Sequence, residues 1–95
     1  MLYMVVEHFY DGAAPEVYRR VREKGRMLPH GLEYVSSWVA LDFKTCYQLM
    51  RSEDPSLFAV WIENWQDLGS FEVVPVRTSA EAATTLGGFL LEGEP

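Results

Sequence analysis

LEYVSSWVALDFKTCYQLMR, residues 32–51, reads as two strands and the turn between them. Residues 32–41 and 45–51 are rich in β-branched and aromatic side chains, and only Asp42-Phe43-Lys44 separates them, a length suited to a hairpin. On the N-terminal side, residues 2–9 (LYMVVEHF) read as another strand, ended by Asp11-Gly12. Pro15 suits the first position of a helix, where a missing N–H costs nothing. Val17, Val21 and Leu28 then recur at helical spacing, so a helix is predicted over 15–28, stopped by Pro29-His30-Gly31. On the C-terminal side, Asp54-Pro55 is a helix start, and Leu57, Trp61, Trp65 and Leu68 lie on one helical face. Gly69 closes that helix, and 71–76 (FEVVPV) reads as a fourth strand, placed at an edge by Pro75. Thr78 with Glu81 has the spacing of a capping box and opens a short third helix, stopped by Gly87-Gly88.

The order β-α-β-β-α-β places two right-handed crossovers around a hairpin. It predicts an α+β, ferredoxin-like domain: a four-stranded antiparallel sheet in the order 4-1-3-2 with both main helices on one face. The 95 residues suit one domain, with a core over about 1–77 and a C-terminal helix and tail over 78–95. Phe89, Leu90 and Leu91 in that tail are apolar enough to pack somewhere.

A chain this short buries roughly 60–65% of its unfolded surface, so a lone core is marginal. Yet 48% of the residues are hydrophobic and 14% aromatic, more than one core needs. The strands show why: in 2–9, the Leu2, Met4, Val6 face and the Tyr3, Val5, Phe9 face are both largely apolar. Two helices cover one sheet face, and the simplest cover for the other is the sheet of a second copy. A homodimer closed into an α+β barrel is therefore expected.

The formal charge of −6 disfavours nucleic acid as a partner. The basic residues are concentrated at Arg19, Arg20, Arg22, Lys24 and Arg26, either a solvated helix face or a docking patch for an anion or an acidic partner. Cys46 is the only cysteine, which excludes an internal disulfide and fits a reducing, cytoplasmic setting. The stretch MLYMVVEHFY does not read as a signal peptide, and no apolar run is long enough to span a bilayer, so no membrane association is expected.

Chemistry-bearing motifs are few. His8 and His30 form no metal-binding spacing, so no metal is expected. Ser36 and Ser37 lack a nucleophile-elbow context, no phosphate-binding loop occurs, and no cofactor is expected. Cys46, mid-strand, reads as an apolar filler, and Trp61 and Trp65 as helix core. What remains is a set of polar residues inside apolar strands: Glu7, Gln48 and Glu72. Neighbouring strands place them with Tyr3, Tyr34 and Trp38 on one sheet face, assigned to the side away from the helices because Met4, Val6, Leu49, Phe71 and Val73 are more aliphatic. Aromatic walls with a few polar groups are the usual composition of a ligand site, and a carboxyl desolvated there would act as acid or base. The alternative places these groups in hydrogen bonds across a dimer interface or in water at the rim.

The stretches MLYMVVEHF, YRRVREKGRMLPHGLEYVSSWV, YQLMRSEDP and WQDLGSFEVVPV resemble a family of short bacterial proteins known as a domain of unknown function, within the dimeric α+β-barrel superfamily. That superfamily includes muconolactone isomerase-like enzymes and small antibiotic-biosynthesis-type monooxygenases. The resemblance covers about residues 1–80 and implies the fold and a dimer, but no catalytic residues. Two functions follow as expectations: a binder of a small hydrophobic organic molecule, extending to a cofactor-independent enzyme, or a non-catalytic dimeric interaction module.

Overall fold

The computed structural model describes residues 1–87. Its elements are β1 (Leu2–Phe9), α1 (Ala14–Lys24), β2 (Leu32–Val39), β3 (Thr45–Ser52), α2 (Leu57–Ile62), β4 (Gly69–Val76) and α3 (Ser79–Leu86). The sheet order is β2-β3-β1-β4 with every neighbouring pair antiparallel, which is the expected order read from the other edge. The tail containing Phe89, Leu90 and Leu91 lies outside the described residues.

Both main helices pack on one face. Val17 of α1 and Phe58 and Trp61 of α2 meet Tyr3 and Val5 of β1 and Met50 of β3 in one core. Trp61 is the largest fully buried side chain, and Tyr3 and Phe58 meet edge to face at 4.9 Å. The two helices are shorter than their periodicity suggests. In α1 Pro15 takes the second helical position, and Gly25, at φ +68°, ends the helix four residues early while its N–H bonds the Val21 carbonyl at 2.7 Å. Beyond Ile62 the chain continues in tight turns, with Trp65 N–H to Ile62 O at 2.8 Å and Leu68 N–H to Trp65 O at 2.9 Å. Those turns keep Trp65 and Leu68 buried on the side the helical spacing assigned them.

Gly69 shows how closely β4 approaches β1. A Cβ at this position would come within 2.6 Å of the His8 carbonyl oxygen, a backbone atom that cannot swing aside. Gly69→Ala is expected to destabilise the fold by about 1–3 kcal/mol, the usual range for forced overpacking. Denaturant unfolding measures this, and a change below about 0.5 kcal/mol would show that the strand ends yield freely.

α3 opens with the expected capping box. The Thr78 hydroxyl accepts from Glu81 N–H at 3.1 Å, and the Glu81 carboxylate accepts from Thr78 N–H at 3.1 Å. Two of the four basic residues of α1, Arg19 and Arg20, are engaged within the chain. Arg19 pairs with Glu16 and Glu23, while Arg20 binds Asp67 with two bonds of 2.8 and 2.9 Å and lies 5.6 Å over the Trp65 ring. Arg20 therefore ties α1 to the turn after α2, and the patch is less of a free cationic surface than its sequence suggests. No helix among the described residues is long and apolar enough to cross a membrane.

Candidate functional site

The strand register keeps Phe71 and Val73 on the helix side and Glu72 and Trp38 on the open side, as expected from composition, but it exchanges the faces of Glu7, Gln48, Tyr3 and Tyr34 with those of Met4, Val6 and Leu49. Glu7 pairs with Cys46 and Phe71, and Val5 with Gln48 and Val73, so Glu7, Gln48, Phe71 and Val73 all point toward the helices. Glu72 pairs with Val6 and faces the open side together with Met4 and Leu49. Glu7 and Glu72 thus lie on opposite faces, because a one-residue offset between strands flips a side chain through the sheet. A register shift between Tyr34 and Ser36 separates another pair. Tyr34 sits opposite Met50 on the helix side, whereas Trp38 sits opposite Tyr47 on the open side and is 55% exposed. Tyr3 is a core residue against Phe58 rather than a pocket wall. Of the six expected site residues, Glu7 and Gln48 share a cavity, with Tyr34 near its edge; Tyr3, Trp38 and Glu72 stand elsewhere.

That cavity, about 90 Å³, lies between the sheet and α1, with both Trp61 and Trp65 in its lining. The sheet supplies Glu7, Phe9, Val39, Cys46 and Gln48. α1 supplies Val17, Tyr18 and Val21, one helical turn repeated on the face it turns inward. Trp61, Trp65 and Arg26 complete the wall. Wider hollows exist along α3 (about 380 Å³) and beside Gly31 and Leu57 (about 320 Å³), but neither is lined by a buried ionisable group.

Glu7 is only 4% exposed, and its Oε2 is buried without a hydrogen-bond partner among the described residues. An orphaned buried carboxyl oxygen is costly and calls for an explanation. Burial pushes the Glu7 pKa up from 4.5 to about 7, because the low-dielectric wall penalises the charged form. The same burial, with Glu7 nearby, pushes the Cys46 thiol up to about 11 despite an opposing effect of Arg26. Cys46 is therefore a protonated wall group at neutral pH and a poor nucleophile, consistent with the filler role expected of it. Tyr18, 45% exposed, is also raised, first by desolvation and then by Cys46 and Glu7.

Arg26 owes its place to an unusual turn. Gly25 and Met27 on either side of it both have positive φ, +68° and +58°. The Arg26 carbonyl accepts both indole N–H groups, Trp61 at 2.8 Å and Trp65 at 3.2 Å. Its guanidinium stacks 3.7 Å from the centre of the Tyr34 ring, and the Tyr34 hydroxyl is 2.7 Å from Ser37 Oγ. One short turn thus ties the tryptophan wall to the sheet through a cation. Sequence reasoning missed Tyr18 and Ser37 as cavity residues and met Arg26 only as a member of the basic stretch. Gly25, inside the helix predicted over 15–28, was the one signal that the chain turns sharply there.

His8 is not in this cavity; its Nε2 lies 3.1 Å from Glu72 on the open face. A family model described as "Domain of unknown function (DUF3303)" matches residues 1–90. No curated protein matches the chain.

Proposed function

The chain belongs to the DUF3303 family, and from that premise, which brings no activity with it, we propose that the cavity under α1 binds a small organic molecule and that Glu7 exchanges a proton with it. The observation that carries this is the Glu7 Oε2 atom, buried and without a partner in a largely apolar cavity. A core built for stability alone would pair that oxygen or replace it. A ligand hydroxyl or carbonyl supplies the missing bond.

A carboxyl with a pKa of about 7 is half ionised at neutral pH, so it can take a proton and give it back. The chemistry this suits is proton transfer: the carboxylate removes a proton from a carbon or oxygen acid and the carboxyl returns one, with no cofactor required. Gln48 and Tyr18 lie in the same wall and can hold the oxygen of the reacting group. The volume sets the size. On the order of half a dozen non-hydrogen atoms can be enclosed, well below the roughly 300 Å³ of sites for drug-sized ligands.

Phenol is a suitable probe, being one apolar ring with one hydroxyl. Glu7→Gln is expected to weaken phenol binding about 10- to 100-fold, the range for a hydrogen bond to a charged or ionisable group. Calorimetric titration reads this, and full affinity in a folded variant would remove Glu7 from the site.

We further infer that the open sheet face packs on a second copy of the chain. Its centre is apolar, with Met4, Val6, Leu49, Val74, Tyr47 and Trp38 on the side away from α1 and α2 among the described residues. Its two ends carry polar pairs: His8 beside Glu72 at one, Arg51 with Glu33 (3.6 Å) at the other. An apolar centre with a polar rim is the anatomy of a protein interface. Four strands of eight residues give a footprint of roughly 500 Å², and the side chains standing off it bring the accessible area to the low end of stable interfaces. The dimeric reading predicts a molar mass near twice the 10.9 kDa of the chain.

A further inference from the structure

Among the described residues Arg26 is the one cation in the cavity wall, and its guanidinium donors bond none of them. No carboxylate among the described residues lies within ion-pair distance of its guanidinium, although acidic residues outnumber basic ones 14 to 8. Arg19, Arg20 and Arg51 have such partners and, among the described residues, Arg22, Lys24, Lys44 and Arg77 do not; what sets Arg26 apart is its place in the cavity wall. Its backbone carbonyl is engaged by two indoles and its flat face by Tyr34, so the group is held in place while its N–H edge stays unbonded among the described residues. Tyr34 is 37% exposed, which puts this end of the cavity at the surface, whereas Glu7 lies at the buried end.

Resting on the cavity reading above, we propose that the ligand is a small carboxylate carrying a second oxygen: its carboxylate binds Arg26 at the mouth, its apolar span lies against Trp61 and Trp65, and its hydroxyl or carbonyl reaches Glu7. A planar guanidinium with fixed orientation matches a carboxylate through two parallel N–H···O bonds. Pre-stacking on Tyr34 removes part of the ordering cost of binding. A phosphate dianion fits less well, because a single cation faces it and the opposite wall holds an acid. The ligand class is therefore hydroxy- or oxo-carboxylic acids whose two oxygen groups are separated by a short apolar or aromatic span.

Three indole N–H signals make the test internal to one spectrum. Trp61 and Trp65 line the cavity, and Trp38 stands on the opposite sheet face as a control. ¹⁵N-labelled protein is titrated with 4-hydroxybenzoate, 4-hydroxybenzamide and phenol, which share a ring and hydroxyl of about the size the cavity encloses and differ only in the group that lies outside it, at Arg26. The acid is expected to move Trp61 and Trp65 but not Trp38, and to bind about tenfold more tightly than the amide. Arg26→Gln should erase that difference, and Arg26→Lys should restore part of it. Unliganded Arg26→Gln should keep the Trp61 and Trp65 signals in place, since their acceptor is backbone. Equal binding of acid and amide, or an unchanged preference in Arg26→Gln, overturns the carboxylate assignment while phenol binding that still depends on Glu7 leaves the cavity reading standing. If none of the three probes moves the cavity indoles, both fall together.

Discussion

Raising the pH from 5 to 8.5 is expected to lower the unfolding free energy of the protein by about 3 kcal/mol, and Glu7→Gln is expected to abolish that loss. Glu7 titrates near 4.5 when exposed and at about 7 in the fold. The folded state therefore holds its proton more tightly than the unfolded chain. Stability from this group is complete below about pH 4.5, declines as pH rises through the interval to about 7, and stays low above it. Each unit of difference is worth about 1.4 kcal/mol, which gives the figure stated. Glu16, Asp67 and Glu81 are shifted the other way, each first by a hydrogen bond, so their contributions disappear only as pH falls below the ordinary carboxylate range. They leave the interval from 5 to 8.5 to Glu7. Any contribution from the His8–Glu72 pair is common to both proteins and cancels in the comparison. At pH 8.5 the Gln variant is expected to be the more stable of the two, because a buried neutral amide costs less than a buried carboxylate. Denaturant unfolding at both pH values and one protein concentration measures this. Parallel behaviour of the two proteins would mean that Glu7 does not carry the proton.

Placing charge in the middle of the open sheet face is expected to convert a dimer into a monomer. Met4 and Tyr47 lie on adjacent strands, on the side away from α1 and α2. The double change Met4→Glu and Tyr47→Glu would bring four carboxylates together across a two-fold axis and bury them without partners. Burying unpaired charge costs several kcal/mol per group, so the dissociation constant should rise at least about a thousandfold. The helix-side core of Val5, Met50 and Trp61 is untouched, so the variant should remain folded. Sedimentation across a range of concentrations reads both. A wild-type protein that stays at one chain mass at high concentration would contradict the interface.

The sheet order was legible because it depends on element order and chirality, which survive errors of several residues in the boundaries. Pro15, Asp54-Pro55 and the Thr78/Glu81 capping box marked the helix starts within two or three residues. Which side of the sheet each residue faces was not legible, and the reason is physical. Alternation reports sidedness only when one face is wet, and here both faces of β1 are apolar apart from Glu7 and His8. The aliphatic rule then put Met4, Val6 and Leu49 under the helices, whereas the helices bring the large aromatic rings of Phe58, Trp61 and Trp65. Those rings fill the layer beside Val5 and Met50 and leave room for polar side chains at Glu7 and Gln48. Tyr34 and Trp38, four residues apart, would share a face in a regular strand; the irregularity at Val35 parts them, and nothing in LEYVSSWV announces it. Arg26 was hidden for a similar reason. Its position follows from two left-handed residues, and one of them is Met27, a residue type that rarely adopts that conformation. Trp61 and Trp65 were read as core, and they are buried, but the same rings also wall the cavity.

Glu7 is the residue on which the cavity, the proton exchange and the pH dependence all turn, and its titration can be observed directly. The measurement is the ¹³C chemical shift of its side-chain carboxyl, followed from pH 3 to 9 and assigned by its absence in Glu7→Gln. A midpoint near 7 is the result expected of a carboxyl desolvated in an apolar cavity without a partner. A midpoint near 4.5 would mean that water or a hydrogen-bond donor reaches Oε2 in solution, and Glu7 would then be an ordinary carboxylate with no claim on a ligand.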